Sequence, residues 1–117
     1  MSTHYSLPIT HNSDKMILEA VILNVKAGQT VDFENNFRLA STFISKANGY
    51  IEHELQKCIE AENKYLLLIK WETLEDHTIG FRNSDDFQEW KKLLHHFYDP
   101  FPIVEHFNLI CQNKKNY

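Results

Sequence analysis

The sequence predicts an α+β fold, a ferredoxin-like βαββαβ chain whose four strands form one antiparallel sheet with the helices on one face. Three observations carry that prediction. Strand-length apolar runs and stretches of helical periodicity follow one another in the order strand, helix, strand, strand, helices, strand. Two of the strands, residues 16–25 (MILEAVILNV) and 64–71 (KYLLLIKW), are apolar on both parities, the pattern of strands covered on both faces. The length, 117 residues, suits one domain with a real core and is too short for two.

The elements follow in order. Residues 1–15 are polar and aperiodic and read as a flexible tail. The first strand breaks at Lys-Ala-Gly-Gln, where Gly28 suits a turn. Thr30 is placed to cap a helix, Asp32 and Glu34 complement its positive dipole end, and Phe33, Phe37, Ala40, Ile44 and Ala47 recur at helical spacing. Asn48-Gly49 stops it. Residues 50–59 alternate, Ile51, His53 and Leu55 opposite Glu52, Glu54 and Gln56, as a half-solvated strand does. After a polar turn at 60–63 comes the two-sided strand 64–71. A short helix over 74–81 then sets Leu74, His77, Thr78 and Phe81 on one face. A further helix opens at Ser84 or Asp85 and buries Phe87, Trp90, Leu94 and Phe97. Asp99-Pro100-Phe101-Pro102 ends it. Residues 103–110 form the last strand; the domain spans 16–111, and 112–117 is a polar tail.

Composition narrows the function. Hydrophobic residues make up 43% and charged ones 24%, a globular balance. A net charge of −4 with no dense Lys/Arg block argues against nucleic-acid binding. No apolar run approaches a membrane span and no signal peptide is recognisable, so a soluble, cytoplasmic protein is expected. Cys58 and Cys111 fit neither a disulfide framework nor a zinc or redox motif, and buried free thiols are expected. In the predicted topology the two-sided strands are central, so the second sheet face needs a cover that the chain has no element left to supply. A second copy of the chain is the economical cover.

Several stretches together carry a family resemblance: the strand and Lys-Ala-Gly-Gln turn at 16–29, Asn-Gly-Tyr at 48–50, KYLLLIKWET from Lys64, His77 in the following helix, SDDFQEW at 84–90 and PIVEHF at 102–107. In this ordered set, residues 16–110 resemble the antibiotic biosynthesis monooxygenase domain family, the dimeric α+β barrels. The resemblance implies a homodimer with its sheets face to face and, in each subunit, a pocket between sheet and helices for a small hydrophobic or aromatic molecule. It also implies an oxidoreductase without cofactor or metal, a monooxygenase whose phenolic or quinol-like substrate loses a proton and passes an electron to oxygen. Other members of the fold degrade haem, isomerise or process metabolites, so a non-catalytic small-molecule or haem-binding protein and an isomerase are the alternatives. The haem-degrading branch carries an Asn, a Trp and a His where this chain has about Val21, Gly80 or Phe81, and Lys91, which argues against haem degradation.

Such chemistry needs a proton acceptor near neutrality and rigid aromatic walls. His77 is the candidate catalytic base or hydrogen-bond donor, since imidazole titrates near pH 6.5. Trp71, Phe81 and Phe37 are the candidate aromatic walls. Glu19, a charge inside the first strand, and His106 on the last complete the expected substrate-binding set. His53 and His106 are expected to approach each other across the dimer, while His95-His96 is read as surface or interface. Neighbouring acidic and histidine residues on these strands point to opposite faces, so no metal site is expected.

Overall fold

The computed structural model of the protein describes residues 16–115; the tail at 1–15 lies outside the described residues, as do 116–117. The elements are β1 (Ile17–Asn24), α1 (Thr30–Ile44), β2 (Tyr50–Lys57), β3 (Lys64–Trp71), a π-helical turn (Asp76–Phe81), α2 (Asp85–Leu94) running into a short 3-10 turn (His95–Phe97), and β4 (Val104–Asn108). The strands form one antiparallel sheet in the order β2-β3-β1-β4. This is the predicted arrangement, with the two-sided strands in the centre.

One sheet face carries the core. Val21 and Leu23 of β1 and Tyr65, Leu67, Ile69 and Trp71 of β3 are buried against Phe33, Phe37, Ala40 and Ile44 of α1 and Trp90 and Leu94 of α2. The two helices meet through aromatic edges, Phe37 and Trp90 standing 5.7 Å apart at 68°. On the other face Leu18, Ala20 and Ile22 register beside Lys70, Leu68 and Leu66 of β3. Phe107 pairs with Leu18, and no element of this chain's described residues lies over this face.

Local departures from the sequence reading have local causes. Helix α1 starts at Thr30 itself with Gln29 at the cap position and no side-chain cap bond. Gly28, at φ +78°, turns the chain so that Gln29 N–H reaches the Lys26 carbonyl at 3.1 Å, and the helix begins one residue early. Ser84 does cap α2, accepting from Phe87 N–H at 3.1 Å. In β2 the register slips between Tyr50 and Glu52, so Ile51 is the extra residue of a bulge. Tyr50, His53 and Leu55 therefore share the inner face, and Ile51 is 37% exposed. Gly49, also at φ +78°, lies against Asp76, and a Cβ there would overlap the carboxylate.

The turn after β3 is wider than an α-helix: Arg82 N–H bonds the His77 carbonyl at 3.2 Å, five residues back. His77 and Phe81 are buried as expected, but Leu74 is 38% exposed. β4 is shorter than predicted because its partner strand begins at Ile17, opposite Asn108, leaving Leu109 and Ile110 beyond the ladder and exposed. The cysteines are not buried: Cys58 follows the end of β2 and is half-buried, and Cys111 lies past β4 and is exposed.

Candidate functional site

Glu19 is the one acidic side chain on the inner face of β1. The ladder sets it between Ile69 of β3 and His106 of β4. It is only 5% exposed, a costly place for a carboxylate, and its oxygen is met by the Trp71 indole N–H at 2.9 Å. The imidazole of His77 lies over the indole, centroids 5.3 Å apart and planes 17° from parallel. Nε2 of His77 stands 3.4 Å from the same Glu19 oxygen, and its Nδ1 is 2.8 Å from Nε2 of His106. A carboxyl, an indole and two imidazoles thus converge from β1, β3, the π-helical turn and β4.

Burial dominates their electrostatics. It pushes the Glu19 carboxyl up to about 7, although the Trp71 N–H and the nearby Arg82 charge both pull it down. Burial drives His77 down to about 3, with Arg82 and His106 acting in the same direction. His106 is lowered by burial first and by Arg82 second. The His77 contact with Glu19 is therefore not an ion pair near neutral pH. An imidazolium there would be buried beside a guanidinium, so His77 is neutral and Glu19 is the group that titrates near neutrality.

Glu19, His77 and Phe81 line one side of a cavity of about 190 Å³ between the sheet and the α2 end of the helical layer; Arg82, Trp90 and Tyr98 line much of the rest. Of the residues singled out from sequence, those first three face the cavity. Trp71 and His106 are in contact with His77 but are not cavity walls. Phe37 is not a wall either; it packs on Phe33, His53 and Trp90. His53, expected to reach His106 across a dimer, faces the helices of its own chain. Its ring nitrogens meet the Ser41 and Tyr50 hydroxyls of its own chain, and pairing with Ile69 of β3 sets it toward the helices rather than the open face. His106 likewise points inward, to His77. His95 is not purely a surface group: it lines the cavity, while His96 is exposed.

Arg82 and Tyr98 also line the cavity, and no local pattern in the sequence marks either of them. A spacing of five from His77 to Arg82 matches no α-helical face, and only the wide turn brings both to one wall. Tyr98 is delivered by the bridge it forms with Val25, a long-range pairing without a local signal.

The sequence model of the antibiotic biosynthesis monooxygenases matches residues 16–93. The chain belongs to this family. An antibiotic biosynthesis monooxygenase domain thus supplies the first three strands, α1, the π-helical turn and most of α2. The uncharacterized protein YczJ of Bacillus subtilis (strain 168) is 59% identical over 92 residues, covering 79% of this chain and 97% of that protein. A solved structure from Bordetella bronchiseptica, described as a candidate antibiotic biosynthesis monooxygenase, is 35% identical with a TM-score of 0.79, covering 83% of this chain and 99% of its own. SnoaB, a cofactor-independent oxygenase from Streptomyces nogalater, shares the fold at 17% identity and a TM-score of 0.62, covering 86% of this chain and 96% of its own.

Proposed function

We propose that this family member is a cofactor-independent monooxygenase of a small aromatic or quinol-like molecule. The observation that carries the reading is a buried carboxyl, tuned to neutrality and backed by histidine, opening onto an aromatic-walled cavity. A proton acceptor is most effective when its pKa lies near the working pH, and in this site that group is Glu19 rather than His77. His77, neutral, stacks on the Trp71 indole with its Nε2 3.4 Å from the carboxyl and helps hold it in place. An apolar cavity of roughly 150 Å³ accommodates benzene, so about 190 Å³ suits a single substituted ring better than a polycycle.

In the proposed reaction Glu19 takes the acidic proton of the bound phenol or quinol, and Arg82 stabilises the resulting anion. The anion gives one electron to molecular oxygen, and the radical pair recombines to form a C–O bond. Protonation gives a hydroperoxide, and loss of water leaves the oxidised carbonyl product. The substrate is the reductant, and one oxygen atom leaves as water.

The test is oxygen uptake by the purified protein with a panel of monocyclic hydroquinones and phenols. Turnover should fall by about 10²–10⁴-fold in Glu19→Gln, the range for a lost general base, and substantially in His77→Ala. Unchanged turnover in either variant would remove that residue's role. Because a carboxyl and histidine pair performs proton transfer by itself, isomerisation is the second reading; product formed equally well under nitrogen would select it.

The assembly we propose is a homodimer closed over the open sheet face. Leu18, Ala20, Ile22, Leu66, Leu68 and Phe107 form adjacent apolar rows there, with Ile22 43% and Phe107 48% exposed, and an apolar patch of this kind marks an interface.

A further inference from the structure

We propose that Glu19, His77 and His106 form a proton relay from the cavity to solvent, with His106 as its outer member rather than a ligand-binding group. The inference takes from the proposed function only that a substrate proton arrives at Glu19. It rests on the geometry of the chain of contacts. Glu19 lines the cavity, its oxygen is 3.4 Å from His77 Nε2, and His77 Nδ1 is 2.8 Å from His106 Nε2. His106 Nδ1 has no hydrogen-bond partner among the described residues. No buried side-chain nitrogen or oxygen among those residues lacks a partner, so this Nδ1 is open to solvent. The three residues therefore run from a cavity wall to water, each imidazole offering a nitrogen to each neighbour.

To accept the proton, both rings carry theirs on Nδ1: His77 Nδ1–H faces His106 Nε2, His106 Nδ1–H faces solvent, and both Nε2 atoms are free to accept. A proton reaching Glu19 from the cavity gives the acid. The acid then hands a proton to His77 Nε2, Nδ1 of His77 passes one to His106 Nε2, and His106 Nδ1 releases one to water. These transfers change both ring tautomers together, and before the next release each ring returns to Nδ1–H by exchanging a proton with water through a transient second proton. In the loaded state Glu19 is the acid and both rings are Nδ1–H; after release Glu19 is the carboxylate and both are Nε2–H. During release no ring has to hold two protons; the reset does require it, and burial and Arg82, which disfavour an imidazolium at either position, make it the slow step. The 3.4 Å link has to close by a few tenths of an ångström for transfer, as catalytic contacts do on ligand binding.

The groups facing the relay are Arg82 beyond the π-helical turn, the Trp71 N–H from β3, and His95 and Tyr98 across the cavity, the Tyr98 hydroxyl held well above the ordinary phenol range by burial. Glu105 is on the opposite parity of β4, opposite Ala20, and does not face it. The indole does not titrate, and burial and Lys91 hold His95 below the ordinary histidine range, so a midpoint near neutrality shared by both rings reports Glu19 and its relay.

The experiment needs no substrate. The full chain with ¹⁵N-labelled histidine is titrated from about pH 5 to 9, and two-bond proton–nitrogen correlations report the tautomer of each ring. His77 and His106 should both change from Nδ1–H to Nε2–H as pH rises, with one shared midpoint that coincides with the Glu19 carboxyl ¹³C shift. The joint change should vanish in Glu19→Gln while the spectrum stays dispersed. One tautomer throughout at either ring, His106 titrating alone to a doubly protonated ring, or a joint switch that survives Glu19→Gln would overturn the relay. The wild-type titration decides even if the variant does not fold. An absence of oxygen uptake would count against the proposed function and leave this test intact.

Discussion

Replacing Glu19 with Gln should change the pH dependence of stability in a calculable way. Buried in the fold, the carboxyl titrates at about 7, against an ordinary 4.5. Between those values the folded protein holds a proton that the unfolded chain has released, so unfolding releases a proton and stability falls as pH rises. The stabilising contribution is complete below pH 4.5 and is lost by the time pH passes about 7. At about 1.4 kcal/mol for each pH unit of the gap, the loss is roughly 3 kcal/mol. His77 acts in the opposite sense: its folded value of about 3 lies below 6.5, so stability increases with pH through that interval. The two slopes nearly cancel in the wild type over the overlap, so the comparison with the variant is what isolates the carboxyl.

In Glu19→Gln the carboxyl contribution disappears, while the His77 contribution, caused first by burial, remains. The difference in unfolding free energy, variant minus wild type, should therefore shift by roughly 3 kcal/mol in the variant's favour from pH 4.5 to 7. Urea unfolding at closely spaced pH values, followed by fluorescence of Trp71 and Trp90, measures it. A difference that stays flat across this window would refute a raised Glu19 and, with it, the assignment of Glu19 as the proton acceptor.

Two further outcomes test the frame around the site. Leu68→Glu puts a charge in the middle of the open sheet face; in a dimer closed over that face it should weaken self-association by about a hundredfold or more, because a desolvated unpaired carboxylate costs several kcal/mol. Light scattering on the eluting protein reads the mass, and a wild type that already runs as a monomer refutes the dimer. Gly28→Ala and Gly49→Ala should separate strain from clash. Both positions need φ +78°, worth about 1–2 kcal/mol for a residue with a Cβ. Only in Gly49→Ala does the added methyl overlap Asp76, whose carboxylate accepts the Thr73 N–H at 3.2 Å. The Gly49 variant should therefore melt several degrees below the Gly28 variant, and equal melting temperatures would contradict the packing of the π-helical turn on Gly49.

The order of elements, the antiparallel sheet and the central place of β1 and β3 were legible in the sequence because they depend on periodicity, which is local. Apolar side chains on both parities of residues 16–25 and 64–71 require two covered faces whatever the rest of the chain does. His77, Phe81 and Glu19 were legible as inward-facing for the same reason. Their roles were not. Which group takes the proton depends on the cost of burying a charge and on what stands beside it, and both are set by side chains 52 or more positions away. Trp71 and His106 reach Glu19's neighbourhood only through the ladder registers Ile17 with Trp71 and Glu19 with His106. Arg82 entered the cavity because the turn after β3 closes five residues back rather than four, a choice that spacing rules for α-helices do not anticipate. The bulge at Ile51 moved Tyr50 to the helix side beside His53 and turned Ile51 away from Leu55's face by inserting one residue, with no mark in the strand's composition. Periodicity along the chain was enough to dictate the sheet and its two hydrophobic faces. Only packing in three dimensions made the carboxyl, not the imidazole, the group poised at neutral pH, because desolvation acts on a residue through everything packed around it.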